Sequence, residues 1–233
     1  MEDAYYLDMD FAGRGWVFGG IYDGHTGYYA ARYASEHLHN EFLPRLEAGA
    51  SPQEAFLASY RAVSDSLSSQ DSGTTAVNFF IREGELFTAN VGDARAIIIG
   101  DNKVEQLTVD HRVDNPEERS RIEENGGRIE YPYVVKGLWA LMPTRVLGDK
   151  YFRSVGIISR PFVHMRKISE ADRVLLAACD GLFDVMTNEE VADFENKSKD
   201  LDDFLNTLEN EALHVRKGSD NLTVVAVDLR GRG

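Results

Sequence analysis

Cysteine is almost missing from this chain, with Cys179 the single one. A disulfide framework and a cysteine-based zinc site within the chain are therefore excluded. Cys179 closes the apolar run Val174-Leu175-Leu176-Ala177-Ala178, which predicts a buried, inert thiol and not a nucleophile. No apolar stretch is long enough to span a bilayer, and no secretory leader pattern opens the sequence. Positive charge is also scarce, with 25 Lys and Arg against 39 Asp and Glu, a net charge of −14. Such a surface has no basic footprint to neutralise phosphates, which argues against nucleic acid and anionic membranes as partners. Repeats, Pro-rich linkers and low-complexity tracts are absent too. The expectation is one domain over 1–233, soluble, monomeric and cytoplasmic, or nuclear as well in a eukaryote.

What is present is periodic. Trp16 to Tyr22 reads as a buried strand ending at Asp23-Gly24. Ala30, Ala34, Leu38 and Phe42 recur every four residues and predict a helix. Ser51-Pro52-Gln53-Glu54 combines a capping box with proline at the first helical position, opening a second helix with core face Phe56, Tyr60, Val63 and Leu67. Apolar strands follow at Thr75–Ile81 and Leu86–Val91, joined by a short hairpin connection, and at Ala94–Ile99 and Val104–Leu107, joined by a turn at Gly100-Asp101-Asn102. Asn115-Pro116-Glu117-Glu118 starts a third helix, which stops at Gly126-Gly127. Thr187-Asn188-Glu189-Glu190 is another capping box, Leu201 to Val215 a C-terminal helix, and Leu222 to Leu229 a last strand. Helices arriving in pairs between groups of antiparallel strands give an α+β fold, in which two face-to-face sheets with helix pairs outside would bury every apolar face.

Acidic residues cluster at the strand ends: Glu2-Asp3, Asp23-Gly24-His25, Gly92-Asp93, Asp180-Gly181 with Asp184, and Asp220-Asn221. Each alone reads as a turn, because Asp bonds its own backbone and Gly accepts positive φ. Asp23 and Asp180 directly follow buried strands, however, and Asp220 precedes one. Carboxylates bracketing such strands would converge on one end of a core, where their repulsion is costly without cations between them. Hard oxygen donors with no Cys and one nearby His point to Mg²⁺ or Mn²⁺ rather than Zn²⁺.

These stretches resemble the PPM family, the type 2C metal-dependent protein serine/threonine phosphatases. The resemblance rests on Met1-Glu2-Asp3-Ala4, Tyr22-Asp23-Gly24-His25, Ser72-Gly73-Thr74-Thr75-Ala76, Ala89 to Ala96, Leu107-Thr108-Val109-Asp110-His111, Arg145-Val146-Leu147-Gly148-Asp149, Asp180 to Val185, and Asp220-Asn221-Leu222-Thr223, in family order. It implies a four-layer αββα sandwich of two antiparallel sheets flanked by helix pairs. It also implies site roles. Asp23 would bridge two metals, with the carbonyl of Gly24 and Glu2 on the first and Asp180 and Asp220 on the other. Asp3 would order metal-bound waters, and Asp93 and Asp184 match a third, weaker metal position. Two cations about 3.5–4 Å apart lower the pKa of a shared water and clamp phosphoryl oxygens, so no side-chain nucleophile is needed. His25 is the candidate general acid for the leaving alkoxide, since histidine exchanges its proton near neutral pH. Phosphorylated proteins are then the expected partners.

Three departures from the family stand out. The arginine that normally precedes Met-Glu-Asp-Ala has no counterpart, leaving either an upstream truncation or phosphate binding by metals and another cation, with Arg14 a candidate. Thr26 stands where glycine is usual. Lys136 to Thr144 differs in length and composition from the family stretch that borders the substrate. The first two motivate the alternative, a catalytically weak phosphatase-fold adaptor or regulatory pseudophosphatase; a two-metal hydrolase of small phosphate esters is a third reading. His111 is read as a turn or supporting residue, and Arg95 and Arg145 as ion-pair residues.

Overall fold

The computed structural model describes residues 1–68, 71–101 and 103–232. Strands β1 (Ala4–Phe11) and β2 (Trp16–Tyr22) form a hairpin, followed by the short β3 (Gly24–His25). Helices α1 (Tyr29–Glu47) and α2 (Pro52–Ser66) come next, and the capping box at Ser51 and Glu54 starts α2 where the sequence predicts. Then come β4 (Gly73–Thr74), β5 (Ala76–Arg82), β6 (Glu85–Val91), β7 (Arg95–Gly100) and β8 (Val104–Gln106). Glu83 and Gly84, both at positive φ, make the tight turn that joins β5 to β6. In the expected turn after β7, Asn102 lies outside the described residues.

Asn115 caps α3 (Pro116–Glu124), after which β9 (Arg128–Glu130), β10 (Tyr133–Lys136) and β11 (Trp139–Leu141) form a small meander. The short β12 (Leu147–Gly148) and a 3₁₀ turn at Lys150–Val155 lead to β13 (Phe162–Lys167) and β14 (Asp172–Ala178). The one-turn α4 (Asp180–Phe183) precedes α5 (Asn188–Lys197), capped by Thr187, and α6 (Leu201–Asn210). α6 runs on as a π-helical turn over Glu211–Val215, and β15 (Val224–Asp228) ends the fold.

The larger sheet has the order β1-β2-β5-β6-β13 and the second β15-β14-β7-β8. Neighbours in both are antiparallel. Alternation along each strand sends successive side chains to opposite faces. Val17, Ile21, Val77 and Phe79 of the larger sheet therefore pack on Ile98, Leu175, Ala177 and Val227 of the second. On the other face of the larger sheet, Phe18, Phe80 and Phe87 pack with Phe42, Phe56 and Tyr60 of α1 and α2. On the other face of the second, Ile97, Ile99 and Leu176 meet Val191, Phe204 and Leu208 of α5 and α6.

A satellite core of Val113, Ile122, Val134, Val146, Phe152 and Ile157 lies under the β9–β11 meander. Its polar clamp is Glu118, buried on α3. The Glu118 carboxylate accepts from Arg121 at 2.6 Å, Arg145 at 2.7 Å and the Thr144 hydroxyl at 2.5 Å. Arg145 is thus the structural ion-pair residue that the sequence suggests. Burial pushes the Glu118 carboxyl up, but Arg121, Arg145 and Thr144 outweigh it and hold the group well below its ordinary 4.5. A depressed carboxyl contributes stability above the unfolded-state pKa, and that stability is lost as pH falls. Glu118→Gln should therefore cost about 3–5 kcal/mol in urea unfolding at pH 7, because it strands two guanidinium groups. The acid limb of the stability curve below pH ~4.5 should also flatten. A variant as stable as the parent at pH 7 would show that the clamp is dispensable.

Candidate active site

Antiparallel pairing collects the acidic clusters at one end of both sheets. Ala4 opposite Tyr22 sets Glu2 and Asp3 beside Asp23, and Ile21 opposite Val77 puts the start of β5, and so the end of β6, next to them. In the second sheet Ala178 lies between Arg95 and Val224, so Asp93, Asp180 and the lead-in to β15 share an end. The sequence-predicted residues Glu2, Asp23, Gly24, His25, Asp93, Asp180 and Asp220 all line one cleft of about 350 Å³. Asp3 lies just beneath, close enough to repel Asp23 and to feel Asp220. Asp184 is exposed at the side, reached through Arg112.

Hydrogen bonds tie the contributing segments together. The Glu2 backbone N–H donates to Asn221 Oδ1 at 3.0 Å, and Glu2 Oε1 accepts from the Gly27 amide at 2.8 Å. Asp3 Oδ2 accepts from the Thr223 hydroxyl at 2.6 Å. Gly181 is a glycine of necessity, since a Cβ there would stand 2.0 Å from the Asn221 carbonyl oxygen. That close approach brings Asp180 and Asp220 together. Cys179 is buried among the same segments and bonds Asn221 O and Thr223 N; burial drives its thiol far up, so it is the inert group that its sequence context predicts.

The acidic floor is under-neutralised. Burial, then repulsion from Asp180, Asp3 and Asp93, pushes the Asp23 carboxyl up to about 9. Burial, then Asp93, Asp184 and Asp220, raises Asp180 to about 7, and Asp93 is raised too, chiefly by burial. Asp3 Oδ1 and Asp180 Oδ1 are buried without any hydrogen-bond partner. Orphaned carboxylate oxygens in a repelling cluster are the donor set that hard divalent cations take, so these residues fit Mg²⁺ or Mn²⁺. As the side chains stand, no three His, Cys, Asp or Glu groups among the described residues close into a coordination sphere. Glu2 is turned to the Gly27 amide, and Arg112 holds Asp93 at 2.6 Å, Asp184 at 2.9 Å and Asp180 at 3.3 Å.

At the rim, His25 Nε2 lies 2.5 Å from Asp149 Oδ2. A three-stranded ribbon makes this pair, with Gly73 of β4 opposite both His25 of β3 and Gly148 of β12. A Cβ on Gly73 would stand 2.1 Å from Asp149 Oδ2 and 2.4 Å from His25 Nε2, so the glycine of the Ser72-Gly73-Thr74 motif is what lets the two side chains meet. In the sequence nothing marks Asp149 beyond its place in the Arg-Val-Leu-Gly-Asp motif, and Arg112 carries no signal beyond adjacency to His111. Thr26 adopts φ 56, the left-handed conformation that its β-branched side chain disfavours, and the residue is exposed. Trp139, Met142 and Pro143 of the divergent segment line the same cleft. Arg14 lies on the β1–β2 turn, at the other end of β2 from Asp23, paired with Glu47 at 2.6 Å, and is no cleft cation. His111 is buried against Gly92 O, and Arg95 pairs with Asp110.

Solved structures share this architecture. A serine-threonine phosphatase 2C from Toxoplasma gondii superposes with a TM-score of 0.83 at 22% identity, over 97% of this chain and 90% of that one. A C. elegans sex determining protein gives 0.84 at 22% identity, over 99% of this chain and 62% of that one. In sequence, the probable protein phosphatase 2C 45 of Oryza sativa subsp. japonica is 32% identical, covering 100% of this chain and 84% of the relative. Human protein phosphatase 1A is 31% identical over 97% of this chain and 66% of its own length. The protein phosphatase 2C family model matches residues 2–219. The chain belongs to the protein phosphatase 2C family.

The raised carboxyls give a signed expectation for chelator-treated protein. A carboxyl with an unfolded pKa near 3.8 and a folded pKa of about 9 stabilises the fold below the lower value, and that contribution is lost as pH rises through the higher. Melting temperature should therefore fall between pH 5 and 9 in chelator and be restored by Mn²⁺ or Mg²⁺, with the largest restoration at the alkaline end. A metal-independent melting temperature at pH 8 would contradict the assignment of the acidic floor.

Proposed function

We propose that this protein hydrolyses phosphoserine and phosphothreonine in phosphoproteins, with divalent cations held by the acidic floor and His25 as general acid. The observation that carries the reading is the convergence of Asp3, Asp23, Asp93, Asp180 and Asp220 from five separate strand ends, with two buried carboxylate oxygens left unpartnered. Asp23, Asp180 and Asp220 are the principal ligands in this proposal, with Glu2 and the Gly24 carbonyl beside them, Asp3 behind, and Asp93 and Asp184 as an outer position. When bound, the cations supply an activated water and neutralise phosphoryl oxygens. The chain's own part is to hold these carboxylates close before any ligand arrives and to deliver a proton at the rim. Asp149, buried beside His25 at 2.5 Å, fixes the imidazole orientation. His25 can then protonate the departing seryl or threonyl oxygen. Family membership supports phosphoprotein substrates, and Trp139, Met142 and Pro143 are the apolar side chains of the lip that such a peptide would touch.

The adaptor alternative loses ground, since each carboxylate of the acidic set is present and all but Asp184 gather at the cleft. Phosphate release from a phosphothreonine peptide and from an aryl phosphate, each with Mn²⁺ and with chelator, separates the readings. Metal-dependent turnover of both is expected; none on either would sink the enzyme reading, and turnover of the aryl ester alone would favour a small-ester hydrolase. Asp180→Ala should remove metal-dependent turnover while circular dichroism stays native. His25→Ala should slow the phosphothreonine peptide ~100-fold and the aryl ester much less, because an aryl oxide leaves without a proton. Equal losses on the two substrates would rule out the general-acid role.

A further inference from the structure

Among the described residues no Lys or Arg lines the cleft, yet one guanidinium is tied into its acidic floor. Arg112, in the loop between β8 and α3, donates from Nε to Asp93 Oδ2 at 2.6 Å, and from Nη2 to Asp184 Oδ1 at 2.9 Å and Asp180 Oδ2 at 3.3 Å. Its backbone is fixed from both sides. The preceding His111 bonds Gly92 O through its amide at 3.0 Å, and its carbonyl accepts from Thr144 at 2.8 Å. On the other side, Arg119 donates to the Val113 carbonyl at 3.1 Å. The guanidinium is thus delivered to three carboxylates by a rigid support, and not by a wandering surface side chain.

The three carboxylates differ in what they could do without it. Asp93 is buried, its side chain only 2% exposed, so losing a cationic partner there would leave a desolvated carboxylate. Asp180 uses Oδ2 for Arg112 while Oδ1 stays orphaned toward the inner cluster. The Arg112 side chain is 25% exposed, which leaves it a route to solvent that the buried Asp93 lacks. A dication and a guanidinium cannot share the oxygens that Arg112 holds, for reasons of both volume and charge.

We propose that Arg112 is a resident countercation: it neutralises Asp93, Asp180 and Asp184 until a divalent cation displaces it, and so sets the affinity of the outermost cation position. This rests on the metal-dependent reading above and deepens it. Arg112 acts through the carboxylates and is a positioning residue for the metal. The displacement is an exchange of one cation for another, with no bond made or broken in the chain. Arginine and metal are then negatively coupled, and by reciprocity whatever loosens one tightens the other.

The test is calorimetric titration of chelator-stripped full chain with Mn²⁺, with bound Mn²⁺ counted by electron paramagnetic resonance. Arg112→Gln should bind at least one Mn²⁺ about tenfold more tightly than the parent, within the usual range of coupling between sites. Its stripped form should also melt at lower temperature, and Arg112→Lys, which keeps the charge, should stay closer to the parent than Arg112→Gln. Equal Mn²⁺ affinities in parent and Arg112→Gln, both folded, would overturn the proposal. A second readout needs no charge-removing variant. The ¹⁵Nε–H signal of Arg112, assigned by its loss in Arg112→Lys, should shift and exchange faster with water as Mg²⁺ saturates the parent protein. A signal unchanged at Mg²⁺ saturation would overturn the displacement. A parent protein that binds no Mn²⁺ at all would instead overturn the metal-dependent reading, so the two failures are distinguishable.

Discussion

Repulsion among carboxylates at one end of two apolar sheets is the constraint on which the rest of this structure turns. Asp3, Asp23, Asp93 and Asp180 are pressed together where water is partly excluded, and two of their oxygens have no partner. At low effective dielectric, like charges at this range repel far more than they would in water. Left to themselves the side chains would spread apart. They do not, because each sits at or next to a strand end whose position is set by pairing and by buried cores on both faces of each sheet. Short ties complete the confinement, with Asn221 against Glu2 and Gly181, and Thr223 against Asp3. The apolar cores thus hold in place a polar arrangement that would not assemble on its own.

The rim of the cleft is held by a different device. His25 and Asp149 are 124 positions apart and meet because β3, β4 and β12 form a ribbon whose middle residue has no side chain. Asp149 in turn depends on the satellite core around Ile122, Val146 and Phe152, and on the Glu118 clamp that fixes Arg145 just before β12. The same unit carries Trp139, Met142 and Pro143 to the lip. The rim thus leans on the satellite core and, through Leu147 of β12, on the core under α1 and α2 as well.

Much of this was legible in the sequence, and the limits have physical causes. Long elements with one buried face, such as Trp16–Tyr22 and the helix opened by Ser51 and Glu54, announce themselves by period and by caps. β1 shows little period: it is an edge strand whose outward residues include Tyr5, Leu7 and Met9, so polar-apolar alternation is blurred. β13 is partly exposed along its length, which blurs its alternation, and β9 and β11 of the meander, at three residues each, are too short for periodicity to speak. At the site, the acidic residues were readable because Asp-Gly and Gly-Asp pairs abut apolar runs. Arg112 was not, because a cation's partners are set by tertiary contacts alone: Asp93, Asp180 and Asp184 lie 19, 68 and 72 positions away. A β-branched Thr26 is a poor fit for positive φ, and the backbone adopts that conformation all the same. Neighbouring Glu2 and Gly27 are bonded to each other, so the loop geometry is dictated from outside Thr26 itself.

A floor that is costly to leave unneutralised also makes cation binding more effective. Ordering the carboxylates is done during folding, at the expense of the stability supplied by the cores, so a bound cation does not have to gather its ligands. The charge excess of the whole chain works in the same direction: with 39 acidic against 25 basic residues, few cations are available to be borrowed from the surface. Where one guanidinium does reach the floor, it meets Asp93, Asp180 and Asp184 and leaves Asp23 and Asp3 without a direct cationic partner. The inner carboxylates consequently keep their full excess of negative charge while the outer ones are partly neutralised. Under the proposed metal-dependent reading, unequal affinity between inner and outer positions would follow from where a single arginine falls, with no difference in ligand chemistry required.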